Sequence, residues 1–326
     1  MENLFINLQM FAEVQTTLLS GLSAEMKTFY DMTLIDEATA NLVHDQFGQK
    51  RPIPKNGGKT IEFRKFAPLA KATTPLTEGV TPAGKALEVT AITAEVAQYG
   101  DFITQSDVLE LTSLDNTILE ATKLLGRQAG ATLDTIVRNV MQSGNNVTYC
   151  PKADGTAVTS RSGLAADCQL TVDVINQVVA KLRAQNAPTI NGKYVAIIHP
   201  YVAYDLMSDP AWIDAHKYCK PENMYEGEIG EIGGVRFVQT TEAKIYSGGV
   251  FGTLIFGEGA YGVTEITGGG LETIVKQKGS AGTADPLDQR SSVGWKAIKT
   301  AELLIPQYLV RVESKSKVFS ATATEN

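Results

Sequence analysis

Several residue clusters in this chain have types and spacings that could do chemistry, and each chemistry has its own requirements. Gly58, Lys59 and Thr60 end like the G-x-x-x-x-G-K-[ST] loop, whose backbone amides cradle phosphates. The first glycine of that pattern would stand at position 53, which is Ile53, and the residues that follow read as a strand where the motif needs a helix. Gly257, Gly259 and Gly262 have the look of a dinucleotide loop, but they fall between two strand patterns, with no helix start to receive a pyrophosphate. A strand-turn-strand connection accounts for them. No G-x-S-x-G elbow occurs, and the histidines are His44, His199 and His216. His199 closes an apolar strand pattern before Pro200, the setting of a structural histidine. His216 and Cys219 stand three apart, with no second Cys or His pair at zinc-site spacing. Cys150, Cys168 and Cys219 are widely separated and odd in number, which reads as reduced structural thiols. The carboxylates are scattered, and none forms a pair with opposed environments. The expectation is a protein that is not an enzyme and has no catalytic, cofactor-binding or metal site.

Composition narrows the class further. With 326 residues, 43% hydrophobic and 20% charged, the chain is a soluble globular one of about two domains. No run of eighteen apolar residues suggests a membrane helix, and the short apolar start lacks the basic region of a signal peptide. A cytoplasmic protein is expected. The 29 basic and 36 acidic residues leave a net charge of -7, which argues against a surface that grips nucleic acid. Enclosing nucleic acid without gripping it remains compatible.

The element that organises the chain is residues 60–107. Ile61 and Phe63 alternate with polar neighbours, as do Val89, Ile92, Ala94 and Val96, and the connection is rich in Pro and Gly. This predicts two paired strands with a long tip, a hairpin that cannot support itself and must be held by a neighbouring subunit. An intermittently helical arm precedes it. After Ser106 and Asp107, apolar residues at Ile118, Leu125, Leu133, Ile136 and Val140, with Thr122 and Ala129, keep spacings of three and four. They predict one long helix ending near Ser143 and Gly144, about 40 Å long counted from Asp115. Gly126 and Gly130 inside it permit close packing or a slight bend. Residues 145–167 read as a loop or hairpin. A helix capped at Thr171, a strand over 193–199 and a short helix from Pro200 follow. Short strands with glycine turns then run to about Val312, and the polar tail from Ser314 is expected to be loose.

Taken together, several groups of residues resemble the major capsid proteins of tailed bacteriophages. They are Pro68-Leu69, Pro75 to Pro82, Gln98-Tyr99-Gly100, Ser106-Asp107, Ile197-Ile198-His199-Pro200, Gly230 to Phe237, Ala260-Tyr261-Gly262, Asp285-Pro286 and Gly294-Trp295-Lys296. The family typified by coliphage N-four is the particular likeness, and it spans residues 8 to about 312. The resemblance implies an α+β chain with the Hong Kong type capsid fold. It implies an N-terminal arm (1–58), an extended β-hairpin loop (59–100), a peripheral domain with a spine helix (101–170), an axial domain (171–289), and return strands with a tail (290–326). It also implies pentamers and hexamers of the same chain in an icosahedral head around double-stranded DNA, assembled in the host cytoplasm, with no membrane. Because only a short arm precedes the hairpin, a separate scaffolding protein is implied, with a portal. Some relatives crosslink Lys to Asn; Lys71 and Lys85 flank the loop here without a motif for that chemistry.

The residues expected to contact a neighbour are those of the tip: Leu76, Thr77, Glu78, Gly79, Val80, Thr81 and Pro82. Glu78 either pairs with a neighbour's Lys or Arg or is a solvated turn glutamate. A non-viral encapsulating compartment and an isolated α+β enzyme are the competing readings.

Overall fold

A computed structural model describes residues 24–39, 42–66, 69–76, 78–79, 81, 84–113, 117–216, 230–280 and 285–326. The mixed α+β chain divides into two compact units. One is formed by the described parts of 1–39, 100–129 and 271–296, and the other by 40–99, 130–270 and 297–326.

The larger unit is built on a sheet of seven strands. Its order is β5 (Val147–Tyr149), β14 (Leu309–Lys315), β10 (Val250–Phe256), β6 (Tyr194–Ile198), β8 (Val235–Gln239) and β7 (Glu231–Ile232), with β9 (Ile245–Tyr246) also paired to β10. β10 is antiparallel to both β14 and β6, while β5 runs parallel to β14 and β6 parallel to β8. Every residue of β10 and β6 is buried, which is why these strands read as continuous apolar runs without alternation. On one face Ala196, Ile198, Phe251 and Ile255 meet the apolar stripe of α4 (Val172–Ala184), formed by Val174, Ile175, Val178, Val179 and Leu182. On the other face Val195, Ile197, Leu254 and Phe256 meet Tyr261 and, from helix α3 (Thr117–Gln142), Val137 and Met141. Helix α5 (Pro200–Met207) starts at the proline, as expected, and α6 (Pro210–His216) brings Trp212 against Phe237. The same unit holds β1 (Gln49–Lys50), parallel to β11 (Tyr261–Glu265), and β11 antiparallel to Lys299–Leu303 of β13 (Arg290–Leu303). The turn at Gly259, with φ +71, joins β10 to β11, so that glycine cluster is a strand connection.

The smaller unit contains α1 (Ala24–Thr39), the later part of β4 (Ala97–Ser106), α2 (Asp107–Thr112), the first half of α3, β12 (Glu272–Lys276) and the first half of β13. β12 pairs antiparallel with Ser292–Lys296, and β4 pairs with β13 as well. Gly126 earns its place here: a Cβ on it would lie 2.8 Å from the Leu34 carbonyl oxygen, so α1 and α3 approach backbone to backbone.

Several expectations are corrected. The long helix counted from Asp115 is α3, and a separate short helix, α2, precedes it after Ser106: Ser113 turns extended (φ -71, ψ 136) and its N–H closes back onto the Leu109 carbonyl. The predicted second hairpin strand is divided between two sheets: β3 (Val89–Glu95) pairs with β2 (Thr60–Phe66), and β4 with β13. Buried Val96 lies at the break, its N–H donating to the Lys59 carbonyl. The cap of α4 is not the Thr171 hydroxyl, which makes no cap bond; Asp209 accepts from Val172 N at 2.9 Å instead. Residues 145–167 contribute β5 and a 3-10 turn, Arg161–Gly163. The tail is docked, not loose. Ser314 and Ser316 are fully buried, Lys317 N donates to Asp205, Phe319 stacks on Tyr201 at 4.2 Å, and the Asn326 side chain bonds Ile245 N and the Ala243 carbonyl.

Candidate functional site

β2 and β3 pair in antiparallel register from Thr60↔Glu95 to Phe66↔Val89, which is where the ladder ends. One face of this ribbon is anchored. Phe63, Ala94 and Leu304 are buried together, with Ile61, Ile92 and Ile305 against them. The closeness of that seat is set by Gly262, where a Cβ would stand 2.9 Å from the Phe63 ring. Beyond the ladder the situation reverses: every described residue from 69 to 88 is exposed, including Leu69, Leu76 (78% exposed) and Leu87. Lys85 Nζ reaches the Ala70 carbonyl at 3.4 Å across the loop.

The chain leading into this ribbon is fixed to the body at successive points. Asp134 of α3 is fully buried; its Oδ1 accepts from Val43 N at 2.9 Å and His44 N at 2.7 Å, and its Oδ2 lies 2.6 Å from His44 Nδ1. Tyr261 donates its hydroxyl proton to the His44 carbonyl at 2.5 Å, and Lys299 holds Asp45 at 3.0 Å. Arg51 N and Ile53 N then donate to the Val263 and Glu265 carbonyls, extending the parallel pairing of β1 until the chain turns into β2. Losing the Asp134 carboxylate would leave the buried His44 N–H and imidazole and the part-buried Val43 N–H unpaired, a cost of about 3–5 kcal/mol.

Asp134 begins a buried polar row on α3 at intervals of four. Arg138 donates to the Glu242 carbonyl at 2.7 Å, and Gln142 donates to the Gly252 carbonyl at 2.9 Å while accepting from the Tyr246 hydroxyl at 3.0 Å. Tyr246 is covered by the Arg161 guanidinium, 3.6 Å from its ring centre. Arg161 grips fully buried Glu313 through two bonds of 2.7 and 2.6 Å, and Arg311 adds an ion pair at 3.0 Å. This bidentate hydrogen bonding holds the Arg161 pKa above its ordinary value.

Of the residues predicted from sequence, Leu76, Glu78, Gly79 and Thr81 lie exposed at the tip, with Gly79 at φ +76; Thr77, Val80 and Pro82 lie outside the described residues. On α3, Leu125 and Leu133 are buried, while Ile118, Ile136 and Val140 are half-buried. The buried row is Ala121, Leu125, Ala129, Leu133, Val137 and Met141. Asp134, Arg138 and Gln142 were missed because a polar residue at helical spacing reads as a solvated face.

Groups with reactive potential are held inert. Burial pushes the Cys150 thiol well above its usual range, and burial lowers His199 to about 4, where its Nδ1 accepts from Tyr201 N as the cap of α5. A groove of about 1140 Å³ lined by Phe47, Gln49, Lys193, Arg236, Glu231 and Glu258, among others, carries a Lys193–Glu231 ion pair and no His, Cys or Ser in its described lining. Among the described residues no group of three His, Cys, Asp or Glu side chains is placed to hold a metal ion, and no helix is long and apolar enough to cross a membrane. The geometry is that of a ribbon with a buried root and an exposed end.

Comparison with known proteins gives the arm a context. The sequence profile of a family described as phage capsid protein matches residues 88–304. No curated protein sequence matches. Among solved structures, the chain is similar to the capsid of cyanophage P-SCSP1u (14% identity, covering 94% of each chain, TM-score 0.64). It is similar to the capsid of cyanophage Pam1 (12% identity, 86% of this chain and 92% of that one, TM-score 0.67). The capsid of Ralstonia phage GP4 also matches (14% identity, 84% and 88%, TM-score 0.62).

Proposed function

The chain belongs to the phage capsid protein family, as a major capsid protein with the Hong Kong type fold that builds an icosahedral virion shell from copies of itself, and from that premise we propose that its hairpin is the arm by which one subunit holds the next. The observation that carries this reading is the contrast within the hairpin: a root packed around Phe63 and a tip whose described residues are all exposed, leucines included. An exposed apolar tip on a rigid mount has no role in an isolated subunit and gains one when a neighbour covers it. A heterologous contact repeated around a ring closes pentamers and hexamers, and many arms together spread the binding over a surface too large to be broken one contact at a time.

On this reading residues 1–58 form an arm, 59–100 the extended loop, 101–170 the peripheral domain with α3 as its spine, 171–289 the axial domain, and 290–326 the return to the periphery. Leu125, Leu133 and the half-buried Ile118, Ile136 and Val140 are scaffold residues. The protein acts structurally and not as an enzyme. Assembly takes place in the host cytoplasm with a separate scaffolding protein and a portal, and the head encloses double-stranded DNA that the net charge of -7 leaves free to slide.

Deleting residues 72–85 tests the arm. The expected product is a folded subunit, by circular dichroism and cooperative melting, that forms no closed particles by electron microscopy; particles of normal size would overturn the reading. Extraction of native particles should yield double-stranded DNA, whereas enzyme cargo without DNA would place the chain in an encapsulating compartment instead.

A further inference from the structure

Two thiols stand at the ends of one surface loop. β5 pairs in parallel with β14, and the ladder continues to Cys150, whose N–H donates to the Glu313 carbonyl at 3.0 Å. By the alternation of a parallel ladder, the next rung would run from Lys315 N to the Cys150 carbonyl. It runs instead to the Cys168 carbonyl, at 2.8 Å. The chain therefore leaves the sheet after Cys150, makes an excursion over 151–167, and returns so that Cys168 takes the rung that Cys150 gave up. Ala153 N donates to the Asp167 carboxylate at 3.4 Å, tying the same two ends together one step further out. Because Glu313 and Lys315 are two residues apart on one extended strand, the ends of the loop approach to about the 4–7 Å that the Cα atoms of a disulfide span. Both side chains are fully buried in one apolar cluster, with Ile175, Val178 and Phe251. Both are free thiols. Burial, and after it the nearness of Cys168, holds the Cys150 thiol above its usual range.

We infer that Cys150 and Cys168 are a disulfide-forming pair, reduced where the chain folds and closed to an intrachain bond by a small-molecule disulfide, which fastens the base of the 151–167 loop to the sheet. The pair does not depend on the arm reading. The chemistry is an exchange in two steps. The Cys168 thiolate attacks one sulfur of the small disulfide, breaking its S–S bond and releasing one small thiolate. Cys150, having lost its proton to water, then attacks Cys168 Sγ and releases the second. Two protein thiols are oxidised, one small disulfide is reduced to two thiols, and the two protons follow the leaving thiolates. Access comes through the loop. Residues 153–157 and 165–167 are exposed, whereas buried Leu164 and the Arg161–Glu313 ion pair hold the loop down. A buried neutral thiol reacts slowly, so closure follows local opening of the loop. Once made, the bond restricts the unfolded chain and so stabilises the fold.

The test uses the intact folded chain, reduced, incubated with oxidised glutathione, blocked with iodoacetamide and digested with trypsin without reductant. Peptides 139–152 and 162–181 joined by one S–S bond are expected by mass spectrometry, and dithiothreitol should separate them. The rate of joining should rise in urea kept below the unfolding transition. Glutathione that persists on Cys150 or Cys168 singly, linkage of either to Cys219, or both thiols still free after incubation in that urea would overturn the pair. The oxidised chain should also melt about 5 °C or more above the reduced one. An equal melting temperature with the bond formed would overturn the fastening.

Discussion

Helix α3 and the hairpin tip break the usual distribution of side chains in opposite directions. On α3 the polar groups Asp134, Arg138 and Gln142 are buried; at the tip Leu69, Leu76 and Leu87 are exposed. The first arrangement is stable because each buried group finds its partner in the same chain: the amides of 43 and 44, and the carbonyls of Glu242 and Gly252. The second has no such partner among the described residues, and the proposed partner is another copy of the chain. The pairing teaches how to separate residues that hold the subunit together from residues that hold subunits to each other. A polar group removed from water with its bonds satisfied belongs to the fold, whereas a cluster of exposed leucines contributes nothing to it and is free for the proposed contact between copies.

Substitutions can break this contrast at either end. The largest effect on folding is expected for Asp134→Ala, about 3–5 kcal/mol measured by urea denaturation, because it leaves the amides and imidazole of the 43–44 segment buried without an acceptor. A loss under about 1 kcal/mol would mean that this segment relaxes to water and is no mount. Acid should act next. Burial lowers the His199 pKa to about 4, against about 6.5 unfolded, so between these values the unfolded chain binds more protons and stability falls as pH falls. The drop is expected to be about 1–3 kcal/mol from pH 7 to 4. His199→Asn, which retains a capping acceptor, should flatten that part of the pH profile even if it lowers stability at pH 7; an unchanged slope would assign the acid loss elsewhere.

A smaller effect is expected at the hairpin root. Gly262→Ala places a methyl group 2.9 Å from the Phe63 ring, and overpacking there should cost about 1–3 kcal/mol and displace the ribbon. Faster hydrogen exchange at the β2–β3 amides would show it; no change would mean that Phe63 adjusts without moving its strand. The smallest effect on the subunit is expected for Leu76→Ser, under about 0.5 kcal/mol, since the residue is already 78% exposed. Its consequence should appear only in particle yield. A fall in subunit stability as large as that of Gly262→Ala would erase the distinction between the two regions.

Part of this was readable from residue order. Alternation at Ile61 and Phe63 predicts the ribbon, and Gly259 and Pro200 mark a turn and a helix start that occur where expected. The apolar stripe on α3 departs from expectation only toward its end: Thr122, Leu125, Ala129 and Leu133 are buried as the spacing predicts, whereas Ile136 and Val140 are half-buried and Val137 and Met141 are the residues packed with Val195, Ile197, Leu254 and Phe256. The polar row beside it was not readable at all: its partners lie 90, 104 and 110 residues away, and nothing local distinguishes it from a solvated face. The α2–α3 break lacked a proline or glycine to announce it; Ser113 becomes extended where α2 ends.

Sequence alone settles what one segment does by itself. Period two makes a ribbon, helical spacing makes a helix, unbroken apolar runs make doubly buried strands, and a long Pro- and Gly-rich connection cannot carry a core. These depend on side chains within a few positions of one another, so the order of residues determines them. Tertiary structure decides which polar groups are interior, that the tail docks against Asp205 and Tyr201, and that residues 86–99 part between two sheets at Val96. Each of those outcomes is set by a partner distant in the chain, whose gain must exceed the entropy of bringing it there. For the hairpin tip the proposed partner is more distant still, on another copy of the chain.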